Sequence, residues 1–221
     1  MDLARRREDF FMKWKNKYHF ELVHPIVLVI DMQNDFCDEK GAYHRNDPLT
    51  FPVGGMKPMI LRLQHFLSEA RGNATPILYV KYLVDDQGRD VGLHAKTPRP
   101  FLLKEGLRRN TWGGEIVEAL KPLPGDYIVE KSRYSAFYNT KLEIVLRSLR
   151  VETLFITGVA TNVCVESTIR DAYFRDYPCV LVEDCCQAWN EESHLAAVRN
   201  VLHGFGMVMT SEEVIGALSK S

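Results

Sequence analysis

Short, largely apolar runs recur along the chain, separated by stretches whose apolar residues return every three or four positions. The runs are Pro25–Ile30, Ile77–Tyr82, Tyr127–Glu130, Thr153–Thr157, Cys179–Val182 and Met207–Met209. A continuous apolar run with no alternation suits a strand covered on both faces, as in a parallel sheet. Met59, Leu63, Phe66, Leu67 and Ala70 share one helical face, and Gly72 follows as a C-terminal stop. Leu142, Val145, Leu146 and Leu149 stripe a second helix, Val163–Arg175 forms a third, and Leu195, Val198 and Leu202 stripe a fourth that ends at Gly204. Thr140–Glu143 and Thr210–Glu213 both have the spacing of a capping box, and Gly114–Leu120 suggests a short helix. Strands alternating with helices predict an α/β fold: a three-layer α/β/α sandwich around a six-stranded, mainly parallel sheet.

Two segments lack this rhythm. Residues 37–55 hold Gly41, Pro48, Pro52, Gly54 and Gly55 and read as a loop. Residues 84–114 form a long polar stretch, and a loop of that length in a compact domain suits a substrate-covering segment. Ahead of the first strand, Phe10, Phe11, Trp14 and Tyr18 fall on one helical face. Residues 1–23 thus read either as an arm that packs on the domain or on a second subunit or as a frayed tail, and residues 24–221 as a single domain.

Composition narrows the class. The 221 residues are 46% hydrophobic and 26% charged, with a formal net charge of −1. That balance gives no electrostatic reason to bind nucleic acid or an anionic membrane. No run approaches the length of a membrane helix, and the basic N-terminus has no apolar segment behind it, so the expectation is a cytoplasmic protein. Five cysteines without a C-x-x-C pair read as reduced thiols, neither a disulfide framework nor a structural zinc site. The chain has no G-x-G-x-x-G after the first strand, no G-x-S-x-G elbow and no Walker-type loop.

Three reactive side chains fall at strand ends: Asp31 after the first run, Lys131 after the third, and Cys164 where the helix after the fourth begins. Each has an ordinary reading too: a turn cap, a snorkelling surface lysine, a buried structural thiol. Ligands of open parallel sheets bind at the C-terminal strand edge, so the three can meet in one crevice. There a carboxylate takes a thiol proton, an ammonium favours the negative charge, and a thiolate attacks. A thiol at a helix N-terminus also faces unpaired N–H groups that favour its ionised form.

Four motifs in order resemble the isochorismatase-like cysteine hydrolase superfamily: Asp31-Met-Gln-Asn-Asp-Phe36, Lys131-Ser-Arg-Tyr-Ser-Ala-Phe137, Gly158-Val-Ala-Thr-Asn-Val-Cys164-Val, and Val182-Glu-Asp184. The resemblance implies an Asp31–Lys131–Cys164 triad and a cis peptide at Val159–Ala160. It also implies an oxyanion hole made by the amides of Ala160 and Cys164. Phe36 and Tyr134 stand at positions that commonly line the pocket, and Asn162 either donates to substrate or secures the turn. Within the superfamily, Lys131–Thr140 and Ala160–Asp171 look similar to ureidoacrylate amidohydrolases, whereas Leu181–Cys186 and His194–Ala197 look more like biuret hydrolases. The expected function is a cysteine amidohydrolase cleaving a C–N bond of a small ureido or carbamoyl amide. Isochorismate-type vinyl-ether hydrolysis, nicotinamidase activity and a non-catalytic binding scaffold stand as alternatives. No cofactor or metal is implied: Asp85-Asp86-Gln87-Gly88 lacks the Asp-x-His pair of nicotinamidases, and His94 reads as a surface histidine. Arg133 reads by default as a solvated arginine, with contact to a substrate carboxylate, where the substrate has one, as the alternative. Homodimers or homotetramers are the implied assemblies.

Overall fold

A computed structural model describes residues 13–15, 17–46, 53–96 and 99–220. Six strands form one sheet: β1 Pro25–Ile30, β2 Ile77–Tyr82, β3 Tyr127–Lys131, β4 Thr153–Val159, β5 Cys179–Gln187 and β6 Met207–Met209. Their order is β3-β2-β1-β4-β5-β6, with every neighbouring pair parallel. The order reverses between β1 and β4, which places the switch point, and so the natural crevice, beyond their C-terminal ends.

The helices are α1 Asn34–Cys37, α2 Ala42–Asn46, α3 Val53–Gly72, α4 Leu142–Ser148, α5 Glu166–Tyr173, α6 Glu191–Gly204 and α7 Ser211–Leu218. Successive strand residues point to opposite faces, so each apolar strand feeds two cores. Val27, Val29 and Phe155 pack with Leu63 and Phe66 of α3 and Val214 of α7. Ile26, Leu28 and Ile156 pack on the other face with Leu146 of α4, Ile169 of α5 and Val201 of α6. The result is the expected three-layer α/β/α sandwich. No helix among the described residues is long and apolar enough to cross a membrane.

Several elements differ from the sequence expectation. Residues 37–55 are not all loop, because α2 lies inside them and α3 begins at Val53. The Asp35 carboxylate organises this region: Oδ1 accepts the Ala42 amide at 2.8 Å and Oδ2 the Leu107 amide at 2.6 Å. Residues 84–114 hold two 3-10 turns, Gly92–Lys96 and Pro100–Leu103, while only Glu118–Leu120 of the expected Gly114–Leu120 helix forms a turn. The capping box at Thr140 is absent. The helix starts one residue late, with Lys141 as N-cap, so Glu143 sits too early to reach back and pairs with Arg147 and Arg175 instead. The box at Thr210–Glu213 is present on both sides. β5 runs past Val182 to Gln187, with a register irregularity between its pairings Leu181↔Ile156 and Cys186↔Gly158. Asp184, within that irregularity, accepts the Ser211 amide and hydroxyl at the start of α7.

Of the N-terminal arm, Phe10 and Phe11 lie outside the described residues. Trp14 packs against the core with its ring 4.7 Å from that of His203.

Gly158 sets how close β1 and β4 come. Its φ is +106°, and a Cβ there would stand 2.0 Å from the Ile30 carbonyl oxygen. Gly158→Ala is therefore expected to lower the melting temperature by about 10 °C or more, the shift given by a loss above roughly 3 kcal/mol in a chain of this size. Gly72→Ala, where nothing lies within 4 Å of the added Cβ, leaves it unchanged or raises it. Thermal unfolding of both variants checks the pair.

Candidate active site

The motif after β1 does two jobs. Asp31 turns the chain out of the strand in a left-handed conformation, φ 54°, while its amide still donates to the Val80 carbonyl at 2.9 Å. Two residues on, Gln33 clamps the end of β2: its Oε1 accepts the Tyr82 amide at 2.7 Å and its Nε2 donates to the Tyr82 carbonyl at 2.9 Å. Asp31 is thereby left facing the end of β3, two strands away.

Lys131, the last residue of β3, donates from Nζ to Asp31 Oδ2 at 2.7 Å and to the Arg133 carbonyl at 3.1 Å. The side chains are 0% and 1% exposed. The same ammonium lies 4.4 Å from the centre of the Tyr82 ring. A buried pair of this kind is a weak source of net stability, but removing one partner strands a charge in the core at about 3–5 kcal/mol. Asp31 Oδ1 is buried with no hydrogen-bond partner of good geometry. Burial raises the Asp31 pKa, and the Lys131 charge pulls it back down.

Cys164 follows β4 inside a π-helical turn, Thr161–Val165, where the Val163 and Val165 amides both donate to the Ala160 carbonyl, at 3.0 and 3.2 Å. The Val159–Ala160 peptide is cis. The thiol is buried and interacts with Asp31 and Lys131. The structure thus brings Asp31, Lys131 and Cys164 together. It reverses one expectation: burial and the adjacent Asp31 charge push the Cys164 thiol well up, and Lys131 offsets only part of this. Burial therefore favours the neutral thiol over the thiolate.

Above Cys164 and Ala160 lies a narrow pocket of about 20 Å³. Phe36 and Tyr134 line it, together with Tyr43, Tyr82 and Trp189. Asn162 does not lie on its wall; it sits in the turn two residues before the thiol, its Oδ1 buried without a partner. Arg133 does not reach the pocket either, since its Nη1 donates to the Asp90 carbonyl at 2.8 Å and to that of Ser132. Arg99 takes that place, from the long 84–114 segment, with its guanidinium 4.6 Å from the Trp189 ring centre and 5.6 Å from that of Tyr43.

His94 is buried, not a surface residue. Tyr82 donates its hydroxyl to the Ser132 carbonyl at 3.0 Å, so the contact at 2.8 Å to His94 Nδ1 has the histidine as donor. Burial, with Arg99, Arg133 and Lys131 nearby, lowers the His94 pKa to about 4. Among the described residues no three His, Cys, Asp or Glu side chains stand close enough to hold a metal ion.

Sequence reasoning missed Tyr43, Tyr82, Arg99 and Trp189. Tyr82 ends β2, so the strand-end rule that picked out Asp31 and Lys131 also applied to it. Arg99 and Trp189 come from loops ninety residues apart in sequence, and no spacing links them.

Residues 25–213 match the Isochorismatase domain family, and the chain belongs to it. It is 35% identical over 209 residues to the ureidoacrylate amidohydrolase RutB of Enterobacter sp. (strain 638), covering 89% of this chain and 90% of that one. It is 34% identical to the protein of the same name from Agrobacterium fabrum, covering 88% and 90%. Among solved structures, a cysteine hydrolase from Pseudomonas syringae pv. phaseolicola 1448A superposes with a TM-score of 0.82 at 29% identity, covering 92% of this chain and 96% of that one.

The His94 shift has a sign that can be measured. Above its ordinary value of 6.5 the ring is neutral in both folded and unfolded chains. As the pH falls from there, the unfolded chain takes up a proton that the folded chain refuses until about pH 4, so stability drops through this window. His94→Gln keeps a donor for Tyr82 and removes the titration. Urea unfolding from pH 6.5 down to 4 is expected to show a shallower loss of stability in the variant than in the parent.

Proposed function

We propose that the protein is a cysteine amidohydrolase that cleaves a C–N bond of a small ureido or carbamoyl compound through a covalent intermediate on Cys164. The observation that carries this reading is the unpaired Oδ1 of Asp31, a buried acceptor beside a buried thiol, with its partner oxygen held by Lys131. The relatives named ureidoacrylate amidohydrolase supply the substrate class.

In this mechanism Asp31 takes the Cys164 proton as the sulfur attacks the ureido carbonyl. Lys131 stays charged and balances the negative charge that moves from carboxylate to sulfur to carbonyl oxygen. The amides of Ala160 and Cys164 donate to that oxygen; loss of one such donor typically lowers the rate about a hundredfold or more. The C–N bond breaks as Asp31 returns its proton to the leaving nitrogen, which departs as ammonia and leaves a thiocarbamate on Cys164. Water then attacks, giving its proton to Asp31, and the carbamate product leaves as the thiol is restored. Phe36 and Tyr134 pack the substrate against the sulfur.

Two results test the reading. Cys164→Ala is expected to lower ammonia release from 3-ureidoacrylate by at least about a thousandfold, with melting temperature retained. Full turnover by that variant on the same compound contradicts the mechanism. The acid limb of kcat/KM belongs to the Asp31–Cys164 pair. As the pH falls, Asp31 protonates and cannot accept the thiol proton, so the rate declines, and the limb lies above the usual carboxylate value of 3.8. A limb at or below that value contradicts it.

A further inference from the structure

Among the described residues that line the pocket, Arg99 alone carries a full charge; the remaining wall is aromatic or aliphatic apart from the thiol. We propose that Arg99 is the specificity-determining residue of this pocket: it receives the carboxylate of an anionic ureido acid whose carbamoyl carbon lies against Cys164, and it thereby selects such acids over neutral amides of the biuret type. This rests on the amidohydrolase reading for its reaction, though not for its binding chemistry.

Three observations support it. First, the guanidinium is held over the faces of Trp189 and Tyr43. A guanidinium seated on ring faces keeps its N–H donors in its own plane, the fork geometry that matches a carboxylate with two parallel hydrogen bonds. Second, its positive charge is felt across the wall. It lowers the pKa values of Tyr43, Tyr134 and His94, acting against burial on both tyrosines, and it also bonds the Tyr134 side chain. An anion entering this space meets a favourable potential, and a neutral amide gains nothing from it. Third, Arg99 and Cys164 line the same small pocket, so a carboxylate at one end and a carbamoyl group at the other account for both of its polar poles.

Arg99 belongs to the segment between the two 3-10 turns, inside the 84–114 stretch.

The test uses the full-length protein, with Arg99→Gln and Arg99→Lys. kcat/KM is measured on 3-ureidoacrylate and 3-ureidopropionate, on the primary amide of each acid, and on biuret. The ratio of acid to amide is expected to fall by at least about 30-fold in Arg99→Gln, chiefly through KM, the size of a lost charge-assisted pair; Arg99→Lys restores part of it. A ratio within about threefold of the parent's in Arg99→Gln overturns the assignment.

A second arm reads binding without turnover. Calorimetry on the Cys164→Ala protein compares acrylate with acrylamide, then repeats both with Arg99→Gln added. Tighter binding of acrylate that disappears with the arginine supports the assignment even where no ureido compound is hydrolysed, and in that event only the amidohydrolase reading fails. Equal binding of acrylate and acrylamide overturns the assignment even in an active hydrolase.

Discussion

A carboxylate and an ammonium, both sealed from water, govern this site. Moving either ion into the core alone is expensive, and each is tolerable only because the other stands 2.7 Å away. In the proposed mechanism the pair holds a working base in its ionised form inside an apolar environment, and it leaves one carboxylate oxygen without a partner. A fold optimised for stability alone would satisfy that oxygen. Here it stays open beside a thiol whose neutral form burial favours, and the proposed mechanism makes sulfur nucleophilic by proton transfer between the two.

The sheet supplies the rigidity this arrangement needs. Asp31 and Cys164 follow β1 and β4, the two strands that flank the switch point, and Lys131 reaches in from the edge strand β3. Gly158 allows β1 and β4 to close on each other, and Gln33 ties the end of β2 to the turn after β1. Asp35 pins the Ala42 and Leu107 amides, and so ties the helix that carries Tyr43 and the loop segment that carries Arg99 to the same short helix. The polar residues of the Asp31–Phe36 motif thus divide into Asp31, to which the proposed mechanism gives the chemistry, and others that fix the geometry around it.

Much of this was legible in the residue pattern. Six largely apolar runs became six strands, because the central strands are covered on both faces and leave a nearly unbroken apolar signature, while the edge strand β3 is only half-buried. Asp31, Lys131 and Cys164 were visible because strand ends in such sheets converge on one edge. The ionisation state of Cys164 was not visible. Helix position argues for a thiolate, and only the depth of burial shows that desolvation outweighs it. The pocket wall was also hidden, since Tyr43 lies on a short helix inside a stretch that reads as loop, and Arg99 and Trp189 lie on irregular segments, so their meeting depends on tertiary contacts. Arg133 looked suitable by its place in a motif, yet local backbone carbonyls claim it.

The central claim is that the Lys131 charge is what keeps Asp31 ionised in a dry core. Carbon-13 NMR of the aspartate carboxyls, with Asp31 assigned by comparison with Asp31→Asn, measures this directly in the parent and in Lys131→Met. The account predicts that the Asp31 carboxyl titrates above the usual range in the parent and moves further up, by at least about one pH unit, once the ammonium is gone. An Asp31 titration that is the same in both proteins would contradict it.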